Sequence, residues 1–416
     1  MCYKKSEKFY PKHIDELLKN SYNIVDYNKF AKIKSSVSMD SLEKRFPQID
    51  FKRMDSFNNL KKEYSYSCQE EEFIKNIRDV NCDLCGKKIV DHEDYVELIS
   101  MDDELKQEIA SSNEVILKEI VNEYLPVLKN LKKHFSDIIP FLGAGISIPV
   151  GMPSWPRIIE EMSTGNSRID GINDHLKQGE YLDCFPILYK SSPIYKNKTD
   201  IKTFFSQTFW RNKYKIQDSN HQDFLDCNFP ILVTTNYDGI LEQIDNSKYM
   251  SENFLDITDM QDLKKNKVII HLHGSSKPLM KDTMIIDKDD YHKIYKDDVQ
   301  KRRLQTLLGT QKILFFGYSL EDYYFINELA EISKANNSYS EYYSIMINQD
   351  IKKLESKSTL LNQIKYINLS VDFTRIEEKE GGFKKEISRP RDEINKEIIL
   401  KVRFLLYFLR NKLYIN

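Results

Sequence analysis

No stretch of this chain is apolar for long enough to span a bilayer. The opening residues, Met1-Cys2-Tyr3-Lys4-Lys5-Ser6, lack the apolar core of a secretory leader. Charge has no bias: 62 Lys plus Arg stand against 64 Asp plus Glu, a formal net charge of −2, so no basic field points to nucleic acid. Cysteine is scarce, with 6 in 416 residues and no regular spacing, which excludes a disulfide framework and makes a reducing cytoplasm the expected setting. What is present is 40% hydrophobic residues, enough for a sizeable core, in a length that suits two or three domains or subdomains.

The chain is organised around Ile138-Ile139-Pro140-Phe141-Leu142-Gly143-Ala144-Gly145-Ile146-Ser147. A short apolar run ends in two glycines one residue apart, and an amphipathic stretch opens near Pro153, Ser154 and Trp155. The pattern reads as strand, tight turn, helix. Glycines there let the backbone fold sharply and bring bare N–H groups near a ligand. A helix start beside them adds unpaired donors and a positive dipole end, a setting that suits phosphate.

Four later apolar runs end in the same way. Phe229–Val233 leads into Thr234-Thr235-Asn236-Tyr237-Asp238, and Lys267–Ile270 into His271-Leu272-His273-Gly274-Ser275. Lys312–Phe316 leads into Gly317-Tyr318-Ser319-Leu320-Glu321-Asp322, and Tyr343–Ile347 into Asn348. Each run is continuous rather than alternating, which marks strands buried on both faces of a parallel sheet. In open α/β sheets the ligand sits beyond the carboxyl ends of the strands, so these endings should pool in one cleft. Any one of them alone is ordinary turn chemistry. Five in order, each at a strand end, are not.

The expected fold is α/β, a Rossmann-like parallel sheet with helices on both faces and a helical insertion at about 155–225, flanked by mainly helical N- and C-terminal regions. The division is 1–115, with an assembly or regulatory role; 116–350, the nucleotide-binding catalytic domain; and 351–416, for packing or oligomerisation. Helical periods stand out at Ile14–Leu18, at Glu71–Ile77 and over 103–134, where Pro126 should kink or divide the helix. In the insertion, Tyr181, Phe185, Tyr189, Phe204, Phe205, Phe209 and Trp210 sit at helical spacing and read as core. Near the C-terminus Glu393–Leu409 is helical by length, apolar nearly all round in its later half and therefore buried. Glu377 to Arg391, with Gly381-Gly382, reads as an exposed linker.

Cys82-Asp83-Leu84-Cys85-Gly86 is a C-x-x-C-G knuckle. It can give two thiolates to zinc, but a structural site needs four ligands. Only Cys68 and His92 are near, and no second C-x-x-C exists in the chain. Two reduced thiols in a turn is the preferred reading, zinc at Cys82 and Cys85 the alternative, and no metal is expected in the chemistry.

Taken together, G-A-G-I-S at 143–147, T-T-N-Y-D at 234–238, H-G at 273–274, G-Y-S-L at 317–320 and Asn348 resemble the sirtuin superfamily over roughly residues 130–350. That family carries G-A-G-I-S, T-Q-N-I-D, H-G and G-T-S-L segments and an Asn after the next strand. Sirtuin deacylases also carry a four-cysteine zinc module after the catalytic His, whereas the last cysteine here is Cys227, before it. In this the chain resembles the bacterial sirtuin-like proteins of antiphage defence, which hydrolyse NAD+ instead of deacylating lysine.

The resemblance implies NAD+ as substrate, cleaved to nicotinamide and ADP-ribose to deplete the cell of NAD. It assigns the diphosphate to Gly143, Ala144, Gly145 and Ser147, with Pro153 and Thr235 lining the cleft. Asp238 would hold the nicotinamide carboxamide, and Asn236 the attacking water and the ribose. His273 would be the general base, with His271 second. If the strand runs on, both histidines point to one side of it, opposite Leu272. Gly317 and Ser319 would line the adenosine half and Asn348 its ribose. The resemblance further implies a homo-oligomer working beside a separate partner, such as an ATPase or a phage-derived trigger. Two alternatives share the nucleotide site: a protein deacylase or ADP-ribosyltransferase, and a sensor that binds NAD+ or ADP-ribose without turnover.

Overall fold

The computed structural model describes residues 60–69, 71–76, 81–92, 96–101, 122–163, 169, 171–210, 219–244, 249–258, 267–309, 311–335, 341–378 and 384–410. The helical period at Ile14–Leu18, most of the 103–134 stretch and the Gly381-Gly382 turn lie outside them. The chain forms two compact units, Met1–Asn122 with Leu400–Asn416, and Glu123–Ile399.

In the first unit, β1 (Leu60–Cys68), β2 (Glu71–Asn76) and β3 (Val96–Met101) form an antiparallel sheet in the order β2-β1-β3. The described part of the N-terminal region is thus strand and turn, and most of residues 1–115, expected to be mainly helical, lies outside the described residues. Glu71–Asn76, read above as a helical period, is a strand. Its six residues are too short to tell a 3.6 repeat from a 2.0 repeat, and cross-strand pairing with β1 decided the matter.

The second unit is built on a seven-stranded, all-parallel sheet. Its strands are β4 (Ile138–Leu142), β5 (Ile231–Thr234), β6 (Met250–Asn253), β7 (Val268–His271), β8 (Lys312–Phe316), β9 (Glu341–Ile347) and β10 (Lys365–Leu369). The order is β10-β9-β8-β4-β5-β7-β6. All five expected strands are present. The two that sequence reading missed, β6 and β10, lie at the edges, where polar and half-exposed residues such as Glu252 and Asn368 blur the apolar run. Because β10 belongs to this sheet, the sheet reaches beyond residue 350. The hairpin of β11 (Thr374–Glu378) and β12 (Lys384–Ser388) follows, then the helix Arg391–Leu409, with Val402, Phe404, Leu405 and Leu406 fully buried. Helix is the larger part of the described C-terminal region, as expected, and these three strands are added to it.

The sheet interior is aromatic. Phe141 on the central strand meets Phe315, Tyr318 and Phe325 at ring-centroid distances of 5.2, 5.0 and 4.6 Å. Burying one such ring stabilises by roughly 1.5–3 kcal/mol. Among the described residues the insertion holds five α-helices, from Trp155–Ser163 to His221–Asp226, of which the first four pack around Phe185, Phe205 and Phe209. Phe185, Phe205 and Phe209 are core, as their spacing indicated, with Tyr181, Tyr189 and Phe204 half-buried against them and Trp210 half-buried outside the cluster. Pro126 sits in the first turn of the helix Leu125–Lys133, where its missing N–H costs nothing, so it starts that helix rather than dividing it.

Candidate functional site: the strand ends at the switch point

From β4 the chain runs outward on one side through β5, β6 and β7, then crosses back to lay β8 on the other side of β4. The loops after β4 and β8 therefore leave the sheet in opposite directions at its switch point, the place where such folds open a ligand crevice. These loops are Gly143-Ala144-Gly145 and Gly317-Tyr318-Ser319-Leu320.

They touch through bare backbone. Gly143 N–H donates to Phe316 O at 2.9 Å and Gly145 N–H to Gly317 O at 2.8 Å. A Cβ on Gly143 would lie 2.6 Å from Gly317 O, one on Gly145 2.7 Å from Gly317 Cα, and one on Gly317 2.6 Å from Ile146 N. Gly317 also holds φ +66°, the left-handed region. All three glycines are required by this loop-to-loop contact. The helix expected directly after the turn is displaced. Two short 3-10 turns, Ala144–Ile146 and Ile148–Val150, intervene before Trp155–Ser163 begins, with Pro153 buried just ahead of it.

The end of β5 is tied to the same turn. Thr235 N–H donates to Leu142 O at 3.2 Å. The Asn236 amide donates to Gly143 O at 3.2 Å and to Ser147 Oγ at 3.0 Å. Ser147 Oγ also meets His221 Nε2 at 3.1 Å, and His221 Nδ1 meets Ser219 Oγ at 2.9 Å. Burial drives the His221 pKa down to about 3, so the ring is neutral. Burial pushes the Asp238 carboxyl up to about 6, against hydrogen bonds from Ser147 and the Ile240 N–H that pull it down. The donors and acceptors close in one direction: Ser219 hydroxyl to Nδ1, Nε2–H to Ser147, Ser147 hydroxyl to Asp238. His221 was not among the sequence candidates. It lies on a short polar helix with no motif around it, and only the tertiary fold brings it to Ser147.

The two histidines after β7 part company. The strand stops at His271 and the chain turns at Leu272 and His273, so the extended backbone that would have aligned them is absent. His271 bonds Glu242 through Nε2 and Asn236 O through Nδ1 at 3.2 Å. Burial opposes charge on His271, but Glu242 outweighs it and raises the pKa, while the same pairing lowers Glu242 against its own burial. His271 is thus a positioning group that holds the backbone of Asn236.

His273, only 3% exposed, lies in an aromatic box. Its Nε2 meets the Tyr295 hydroxyl at 2.7 Å and Asp322 Oδ2 at 4.0 Å, and its ring centroid is 5.0 Å from that of Tyr291. Tyr291 and Tyr295 come from the helix Lys288–Tyr295, which Asp287 caps by accepting from Asp290 N–H at 3.1 Å. Burial lowers the His273 pKa to about 3 and raises that of Asp322 to about 6. Asp322 also accepts the Phe325 N–H at 3.2 Å. It follows the G-Y-S-L motif by two residues, so the signal that would have found it was in plain view.

Two other expected residues have other engagements. The Asn348 side chain spends both ends on Val371, donating to its carbonyl at 2.6 Å and accepting its N–H at 2.8 Å. Ser319 is exposed, and its Oγ accepts the Glu321 N–H at 3.4 Å.

A seven-stranded parallel sheet with glycine loops meeting at its switch point defines a Rossmann-like α/β protein, the architecture in which nucleotide sites open at that point. More narrowly, residues 230–370 match the SIR2-like domain family. The match begins at β5 and omits the G-A-G turn. The chain is also similar to Defense-associated sirtuin 2 of Bacillus subtilis, with 22% identity over 262 residues, 61% of this chain and 25% of that protein. It thus spans about a quarter of the length of this relative. Among the described residues no helix is long and apolar enough to cross a membrane.

Proposed function

We propose that the chain hydrolyses NAD+ at the nicotinamide–ribose bond, giving nicotinamide and ADP-ribose, and that it does so as an antiphage-defence effector. The observation that carries the reading is the junction of Gly143, Ser147, Asn236 and Asp238 beside the sheet's switch point, where the turn after β4 meets the SIR2-like stretch that begins at β5. The likeness to a defence-associated sirtuin supports the biological setting.

The leaving group is a pyridinium and departs as neutral nicotinamide with the bond's electron pair. Water supplies hydroxide to the ribose carbon and gives up one proton. The enzyme must hold the ring, stabilise an oxocarbenium-like state and place the water. Gly143, Ala144, Gly145 and Ser147 receive the diphosphate; Asn236 orients the water and ribose; Asp238 holds the carboxamide. His273 is neutral above about pH 3. It takes the proton, and ionised Asp322, 4.0 Å from Nε2, stabilises the imidazolium that forms. A homo-oligomer with a separate ATPase or phage-derived trigger belongs to the same proposal.

One observation favours a second reading, a sensor that binds NAD+ or ADP-ribose without turnover: His273 is buried and its Nε2 already faces the Tyr295 hydroxyl. Chromatography of nicotinamide and ADP-ribose separates the two. Hydrolysis by wild type and none by His273→Ala or Asn236→Ala supports the enzyme. Full turnover in both variants would falsify it. Binding of NAD+ with no product, in the chain alone and with its partner, selects the sensor.

A further inference from the structure

The N-terminal unit gathers four groups that the NAD+ reading does not use. The ligand atoms of Cys68, Cys82, Cys85 and His92 all lie within 4.8 Å of one another. A tetrahedral zinc with bonds of about 2.0–2.3 Å needs its ligands roughly 3.5–3.8 Å apart. The cluster is within a small side-chain adjustment of that.

We infer that Cys68, Cys82, Cys85 and His92 bind one zinc ion in a structural Cys3His site. Cys68 ends β1, at the tip of the β1–β2 hairpin. Cys82 and Cys85 stand on a turn closed by Cys82 N–H to Lys87 O at 2.8 Å and Gly86 N–H to Cys82 O at 2.9 Å. Gly86 takes φ +72°, which lets the chain reverse directly after the second thiol. An isolated bridge between Asn81 and Lys88 fixes the base of this turn.

His92 supplies the most specific sign. Its Nδ1 faces the carbonyl oxygens of Lys88 at 3.1 Å and Ile89 at 3.2 Å. A nitrogen facing two acceptors carries the proton, which leaves the lone pair on Nε2. That atom is aimed at Cys85 Sγ, 3.4 Å away. Metal-binding imidazoles are oriented in this way, with the far N–H held by a carbonyl.

Packing supports the assignment. Among the described residues Cys68, Cys82 and Ile89 form one buried cluster with Cys85 packed against it, so the three thiols are already held together. On binding, three thiols release three protons and the site carries a net charge of −1, with Lys87 and Lys88 in the loop to offset it. Three thiolates and one imidazole in a tetrahedral arrangement select zinc over harder cations. The four-ligand closure leaves no open position, so the metal's part is to hold the hairpin tip to the 82–92 loop.

The test is metal content of the untagged full-length chain, purified and dialysed against a weak chelator. One zinc per chain is expected, falling to near zero in Cys82→Ser and Cys85→Ser and unchanged in Cys227→Ser. In case the serine variants misfold, wild type refolded with Co2+ should show tetrahedral d–d bands and thiolate charge transfer. His92→Cys should keep one Co2+, with the charge-transfer intensity rising from three thiolates' worth to four. Wild type without stoichiometric metal overturns the site, as does Co2+ bound without thiolate bands. Neither result depends on whether NAD+ is cleaved.

Discussion

The Asn236 amide lies 3.0 Å from Ser147 Oγ and 3.2 Å from Gly143 O, and these hydrogen bonds join the end of β5 to the turn after β4. Behind Ser147 stands His221, and the peptide carbonyl of Asn236 is held by His271. The residue expected to orient the water is thus fixed at both its side chain and its backbone by partners from other elements.

Asn236→Ala should abolish turnover to at least the 10²-fold level typical of removing a preorganised donor. The fold should lose only about 1–2 kcal/mol, the cost of leaving Gly143 O and Ser147 less satisfied. Product chromatography beside urea unfolding checks both. A large loss of stability with turnover intact would assign Asn236 to the scaffold alone.

Gly317→Ala should be worse than most glycine replacements. Its Cβ would lie 2.6 Å from Ile146 N, with φ at +66°. Strain at that angle costs about 1–3 kcal/mol, and overpacking adds a similar amount. The loops must separate, so a clear drop in melting temperature and loss of NAD+ binding by calorimetry are expected. Gly151→Ala, with nothing within 4 Å of its Cβ, should show only the backbone-angle penalty.

Turnover should have an acid limb near pH 6. Burial raises Asp238 and Asp322 to about 6, so both ionise only above that pH. If Asp322 supports the imidazolium of His273, Asp322→Asn lowers kcat at pH 8 while KM for NAD+ moves little. A pH–rate profile of the variant identical to wild type would remove Asp322 from the proton path.

The same groups shape stability. Between about pH 4 and 6 the unfolded chain protonates His221 and His273, which the fold keeps neutral with pKa values near 3, so these raise stability as pH rises. Over the same window the fold holds protons on Asp238 and Asp322 that the unfolded chain has lost, which lowers stability as pH rises. Between these four groups the terms oppose each other, two against two. Asp322→Asn should shift the slope by about +1.4 kcal/mol per pH unit relative to wild type and His221→Gln by a similar amount of opposite sign. Urea midpoints from pH 4 to 6 give the slopes.

The parallel sheet was readable because strands buried on both faces leave unbroken apolar runs, as in Ile138–Leu142 and Lys312–Phe316. The endings of those runs were readable because polar residues directly after a buried strand have few other uses. The edge strands β6 and β10 escaped because one side of each lacks a neighbour and tolerates polar residues.

What the sequence by itself determined is local: which residues are buried strand, where each strand stops, and which polar groups stand there. Only the tertiary structure decided partnership. It sent His271 to Glu242 and His273 to Tyr295 and Asp322, because the chain turns at Leu272. It brought His221 to Ser147 across 74 residues, and it carried Cys68 and His92 to the Cys82-x-x-Cys85 knuckle. Spacing along the chain fixes neighbours within a turn of helix or a step of strand. Contacts between distant residues depend on how the whole sheet and its loops pack, and no local pattern encodes that.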